Sequence, residues 1–124
     1  MARVPIIRVG DILLATIQED LHDSDALAMQ EALTTQLERT GARGVLLDFT
    51  TVQTVDSFLG RMLNDVVAAI RLLGATTVVV GIQPAVAVTL VELGLELKGI
   101  QTALDAERGM RLLGMGIDTN RRHR

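Results

Sequence analysis

A chain of 124 residues is the length of one domain. Its formal charge of −3 and its two aromatics, Phe49 and Phe58, argue against a module that grips a nucleic-acid backbone or stacks bases and sugars. With no cysteine, disulfides, thiolate metal sites and cysteine nucleophiles are excluded. The opening stretch, Met1 to Arg8, has no apolar run of signal-peptide length, and no segment approaches the roughly 18–20 apolar residues that span a bilayer. A soluble, cytoplasmic protein is expected.

Pro5 to Val9 and Ile12 to Gln18 are apolar runs separated by the turn signal Gly10-Asp11, which predicts a hairpin. Asp20 to Asp25 reads as a solvated acidic loop in which Asp23 or Ser24 caps the next helix. Ala26, Met29, Leu33 and Leu37 then fall on one face of that helix, which stops at Gly41. Gly44 to Phe49 is a short continuous apolar run that suits a central strand covered on both faces. Asp48, near its end, faces the loop region where sites collect in open sheets. Leu59, Met62, Leu63, Val66, Val67, Ile70 and Leu73 recur at helical spacing, so a second helix runs from about 57 to 74.

Thr76 to Gly81 is a valine-rich strand, and Pro84 stands where proline suits the first turn of a helix. From Ala85 to Leu93 that helix is apolar on nearly every side, which predicts unusual burial or contact with another subunit. Ile100 to Leu104 reads as a short edge strand, and Asp105 caps a last helix over 106–113. The order β-β-α-β-α-β-α-β-α describes a single α/β domain with right-handed crossovers, and about 115–124 reads as a flexible basic tail.

Groups that carry chemistry are sparse. His22 and His123 are the only histidines, Lys98 is the sole lysine, and there is no nucleophile elbow, phosphate loop or zinc-helix motif. Asp48, Asp56 and Asp65 are better explained as a strand end, a helix cap and a polar helix face than as a cation site. No catalytic residue, cofactor or metal is expected. Ser57, where the central strand's loop meets the second helix, is the position of interest. A phosphate there would meet unpaired backbone N–H groups and the positive end of the helix dipole. On the residue pattern alone, a plain N-cap is the favoured reading of Ser57.

Two segments carry a resemblance. Val45-Leu-Leu-Asp-Phe-Thr-Thr-Val-Gln-Thr-Val-Asp-Ser-Phe-Leu59 together with Val80-Gly-Ile-Gln-Pro-Ala-Val-Ala-Val-Thr-Leu-Val-Glu-Leu-Gly94 resembles the STAS domain family, the fold of anti-anti-sigma factors. Within it, the chain is most similar to the small single-domain scaffolds of the stressosome. The resemblance runs from the strand at Pro5 to the helix after Asp105. It implies a mixed sheet of four to five strands opened by a β-hairpin, with about four helices packed mainly on one side, and a phosphorylatable serine at the start of the second helix, here Ser57. It also implies a non-catalytic scaffold that co-assembles with itself and with larger RsbR-type paralogues. Such a scaffold holds a serine/threonine kinase of the RsbT type in unstressed cells and releases it once the serine is phosphorylated. The freed kinase starts a general stress signalling cascade, and a dedicated phosphatase resets the serine.

Thr89 lies where RsbR-type paralogues carry a second phosphorylatable threonine, although a mid-helix threonine among valines is more simply a packing residue. Anti-anti-sigma members continue Asp-Ser-Ser-Gly-Leu, whereas this chain reads Asp56-Ser57-Phe58-Leu59-Gly60. Asp56, Phe58 and Leu59 are expected on the partner-contact surface, which Phe58 and Leu59 make bulkier and more apolar; this favours a scaffold over an antagonist that binds an anti-sigma kinase one-to-one. A nucleotide-binding or catalytic domain is the third reading. Val86 and Val88 are expected on the assembly surface.

Overall fold

The computed structural model describes residues 5–18, 23–94 and 100–114. His22, Lys98, His123 and the basic stretch 115–124 lie outside the described residues. The elements are β1 (Ile6–Val9), β2 (Ile12–Thr16), α1 (Asp23–Thr40), β3 (Gly44–Asp48), α2 (Ser57–Leu72), β4 (Thr76–Val80), α3 (Pro84–Glu92), β5 (Ile100–Ala103) and α4 (Ala106–Leu112). They form one five-stranded sheet in the order β1-β2-β3-β4-β5. The opening hairpin is antiparallel, and β2 through β5 are parallel, so the sheet is mixed.

This order decides where the helices go. Each crossover leads to the next strand in the same direction, and right-handed connections of that kind place α1, α2 and α3 on a single face. Side chains alternate along a strand, so the two faces take alternate residues. Leu13, Ala15 and Ile17 of the β2 segment, Val45, Leu47 and Phe49 of the β3 segment, and Val79 of β4 join the large core. In it they meet Met29, Leu33 and Leu37 of α1, Leu63, Val66 and Ile70 of α2, and Val86 and Leu90 of α3. Ile12, Leu46, Val78 and Val80 point the other way, into a small core closed by Ala106, Met110 and Leu113 around α4.

That second face needs a close approach. Gly109 of α4 lies against the strands, where a Cβ would stand 2.6 Å from Val80 Cγ1 and 2.8 Å from Leu46 Cδ1. Only a residue without a side chain lets so short a helix sit this near the sheet.

Two expectations need correction here. Asp25 is not in a solvated loop: α1 already begins at Asp23, which places Asp25 in the first turn, where it is buried. Val86 is not on a surface: its side chain is 1% exposed because it is one of the two α3 residues turned toward the sheet. The apolar exterior of α3 is instead formed by Val88, 56% exposed, and Val91, 75% exposed.

Gly81 sets the junction between β4 and α3. Its φ is 74°, in the left-handed region, and a Cβ there would stand 3.1 Å from both the backbone N and the Cα of Thr50. Gly81→Ala should therefore destabilise the protein by about 1–3 kcal/mol, from backbone strain plus displacement of the Thr50 loop. Urea denaturation would read this as a lower midpoint with an unchanged slope.

Candidate functional site

The site is built at the carboxyl ends of the central strands, where the loop from Phe49 to Asp56 leaves β3 and enters α2. The loop is pinned at its base. Phe49 N–H donates to the Val80 carbonyl at 2.9 Å, and Val52 N–H turns back onto the Phe49 carbonyl at 2.9 Å. Asp48 closes the strand: its Oδ1 accepts from the Thr50 backbone N–H at 2.9 Å and from the Thr50 hydroxyl. This is the Asx turn that a short carboxylate makes with the chain two residues on.

From the neighbouring loop, Gln83 Nε2 donates to the Thr50 carbonyl at 2.9 Å. Thr51 Oγ1 reaches the Ile17 carbonyl at 3.4 Å on the other flank. Three of the sheet's loops thus meet on Thr50 and Thr51. The Gln83 bridge and the Gly81 contact were not read from the sequence. Their one sequence signal is the Gly81 and Pro84 pair that punctuates the end of a strand.

At the helix start the two candidates divide the work. Asp56 is the N-cap, with extended backbone (φ −108°, ψ 178°), and its Oδ1 accepts from the Leu59 N–H at 2.9 Å. Ser57 is the first helical residue, its side chain is exposed, and its hydroxyl has no hydrogen-bond partner among the described residues. A plain capping role for Ser57 is thereby set aside, because the longer acceptor on Asp56 already occupies the orphan donor of that turn. Ser57 stands at the positive end of a 16-residue helix with its hydroxyl uncommitted.

The residues around it separate. Phe58 is half-buried and packs against the large core. It also lines a groove between α1 and α2 with Leu27, Gln30, Arg61, Met62 and Asp65. Leu59, expected beside Asp56 and Phe58 on a partner-contact surface, is 7% exposed and belongs to the core. It starts the inward stripe that continues through Met62, Leu63 and Val66, so the surface is left to Asp56, Ser57 and the outer edge of Phe58. Thr89 is remote in kind: half-buried in the middle of α3, its hydroxyl donates to the Ala85 carbonyl at 2.9 Å. That is the back-bond of a helical threonine, and it leaves the oxygen engaged.

Among the described residues no cluster of three or more histidine, aspartate or glutamate side chains gathers in a way that would hold a metal ion. Among them, too, no helix is long and apolar enough to cross a membrane. What this end of the molecule offers is an exposed hydroxyl at a helix start that follows a cross-braced loop.

Known proteins share this fold. Residues 3–106 match the STAS domain family model. A serine-to-glutamate variant of Moorella thermoacetica RsbS superposes with a TM-score of 0.81 at 34% identity, covering 99% of this chain and 100% of that one. A chain from the structure describing the molecular architecture of the stressosome, a signal integration and transduction hub, superposes with a TM-score of 0.79 at 38% identity, covering 88% of this chain and 95% of that one. The RsbT co-antagonist protein RsbRA of Bacillus subtilis is 39% identical across a match that spans 49% of this chain and 26% of that protein. The family match over most of the length, the mixed five-stranded sheet and the serine at the head of α2 lead to one conclusion: the chain belongs to the STAS domain family.

Proposed function

We propose that this protein is a non-catalytic, cytoplasmic scaffold of the stressosome type, which captures a serine/threonine kinase and is switched by that kinase at Ser57. The observation that carries the proposal is the division of labour at α2, where Asp56 caps the helix and Ser57 is exposed with a free hydroxyl. Similarity along the whole chain to RsbS, and to a stressosome chain, supports the scaffold role over one-to-one binding of an anti-sigma kinase.

The chemistry asks little of the scaffold. The γ-phosphoryl group of ATP passes to Ser57 Oγ, the hydroxyl proton leaves to a base on the kinase, and ADP departs. The product carries about −1.5 to −2 charges at neutral pH. The helix start tolerates that charge, while a docked partner surface meets a new and strongly hydrated group. Kinase release therefore follows without unfolding of the domain, and a phosphatase resets the hydroxyl.

Assembly uses a different surface. The exposed side of α3, carrying Val88 and Val91, is apolar in a way that suits burial against RsbR-type paralogues or other copies of this chain. The similarity to RsbRA supports partners of that kind.

Two outcomes are expected. In a pull-down with the kinase, Ser57→Ala should retain capture and Ser57→Asp should weaken it several-fold, the carboxylate being a partial copy of the phosphate. Equal capture by both would overturn the switch. Val88→Asp should leave the thermal midpoint of the isolated domain nearly unchanged and reduce the size of the co-assembled particle on size-exclusion chromatography. Val86→Asp should instead cost about 3 kcal/mol or more in the isolated domain, because it buries an unpaired charge. A wild-type particle from Val88→Asp would remove α3 from the interface.

A further inference from the structure

Arg61 follows Ser57 by four residues on α2, and both side chains are exposed. Residues at this spacing are neighbours on a helix surface, with Cβ atoms about 5–6 Å apart. Helical side chains also lean toward the N-terminus, so the span of Arg61 lies over the turn that holds Ser57. Arg61 makes no ion pair or side-chain hydrogen bond with any described residue.

It does have an acid four residues further on, since Asp65 lines the same groove between α1 and α2. No salt bridge joins them. Their order explains this in part, because an i,i+4 pair is better with the acid on the N-terminal side and the base after it. A negative charge at Ser57 would stand on that better side. Among the described residues of α1, β3 and α2, the other ionisable side chains near this end are acids: Asp48 at the end of β3, Asp56 at the cap, Asp65 on α2 and Asp25 in the first turn of α1. Among the described residues of these elements, Arg61 is the cation within one turn of Ser57.

We propose that Arg61 is the intramolecular partner of phosphorylated Ser57, holding the phosphate against the surface of α2; this rests on the reading of Ser57 as the phosphoacceptor. The guanidinium offers a planar fork of donors to the phosphate oxygens. Modification then has two effects on the surface. It adds charge at the helix start, and it draws Arg61 away from the groove lined by Leu27, Phe58 and Met62, so the two sides of a docked partner's footprint change together.

The test installs phosphoserine at position 57 during translation, so that no kinase is needed, and follows the phosphate by ³¹P NMR across its second ionisation, near pH 6. With Arg61 present the midpoint should lie lower than in Arg61→Ala by about half a pH unit, the size of a surface ion pair. Arg61→Lys should fall between the two. Arg39→Ala, at the far end of α1, should match the parent and so controls for net charge. The same midpoint in the parent and in Arg61→Ala would overturn the proposal, as would an equal rise in Arg39→Ala. Loss of the kinase switch would appear in the capture experiment and leave this titration unchanged, so the two failures are distinguishable.

Discussion

The structure depends on the burial of β3 on both of its faces. Val45 and Leu47 face the three-helix side, and Leu46 faces α4, so no polar face is left for solvent. Such a strand is stable only in the middle of a sheet with helices on each side. That requirement places two parallel neighbours on its flanks and brings its exit loop to the centre of the sheet's carboxyl end, where open sheets collect their sites. Ser57 is prominent because the strand that delivers it cannot lie anywhere else.

The loop between strand and serine is held from three directions, and this gives the site a fixed shape. Asp48 folds it back through Thr50, Gln83 ties it to the start of α3, and Thr51 reaches the end of the β2 segment. The Asp56 cap then sets the helix register, so the direction in which Ser57 points is decided by backbone geometry and not by its own hydrogen bonds. Under the proposed switch, Ser57 would change in charge while the loop and helix that hold it stay in place.

The elements were legible in the sequence because their periods were clean. The stripe from Leu59 to Ile70 and the run of β3 admit one reading each. For α3, periodicity carries too little information. The helix of alanine and valine before Leu93 is apolar all round, so its pattern alone could not say whether Val86 or Val88 faces the sheet; the geometry of the β4–α3 junction decides that. Leu59 lies two residues from Ser57, yet its spacing to Met62 and Leu63 places it on the inward stripe. The capping ambiguity between Asp56 and Ser57 could not be resolved by composition, since both residue types cap well. A one-residue difference in where the helix begins separates a structural serine from an available one.

The strand order has a further consequence, which belongs to kinetics. Because β1 to β5 lie side by side in the order in which they occur, every pairing joins strands separated by one turn or one helix. Loop closure is therefore short at each step, and the sheet can grow outward one neighbour at a time. No later strand has to force apart a pair that has already formed. Parallel sheets whose central strand arrives last carry a large entropic barrier to closure, and this topology removes most of it. The chain should fold quickly for a largely parallel α/β domain, with β2 and β3 and the helix between them as the natural first unit.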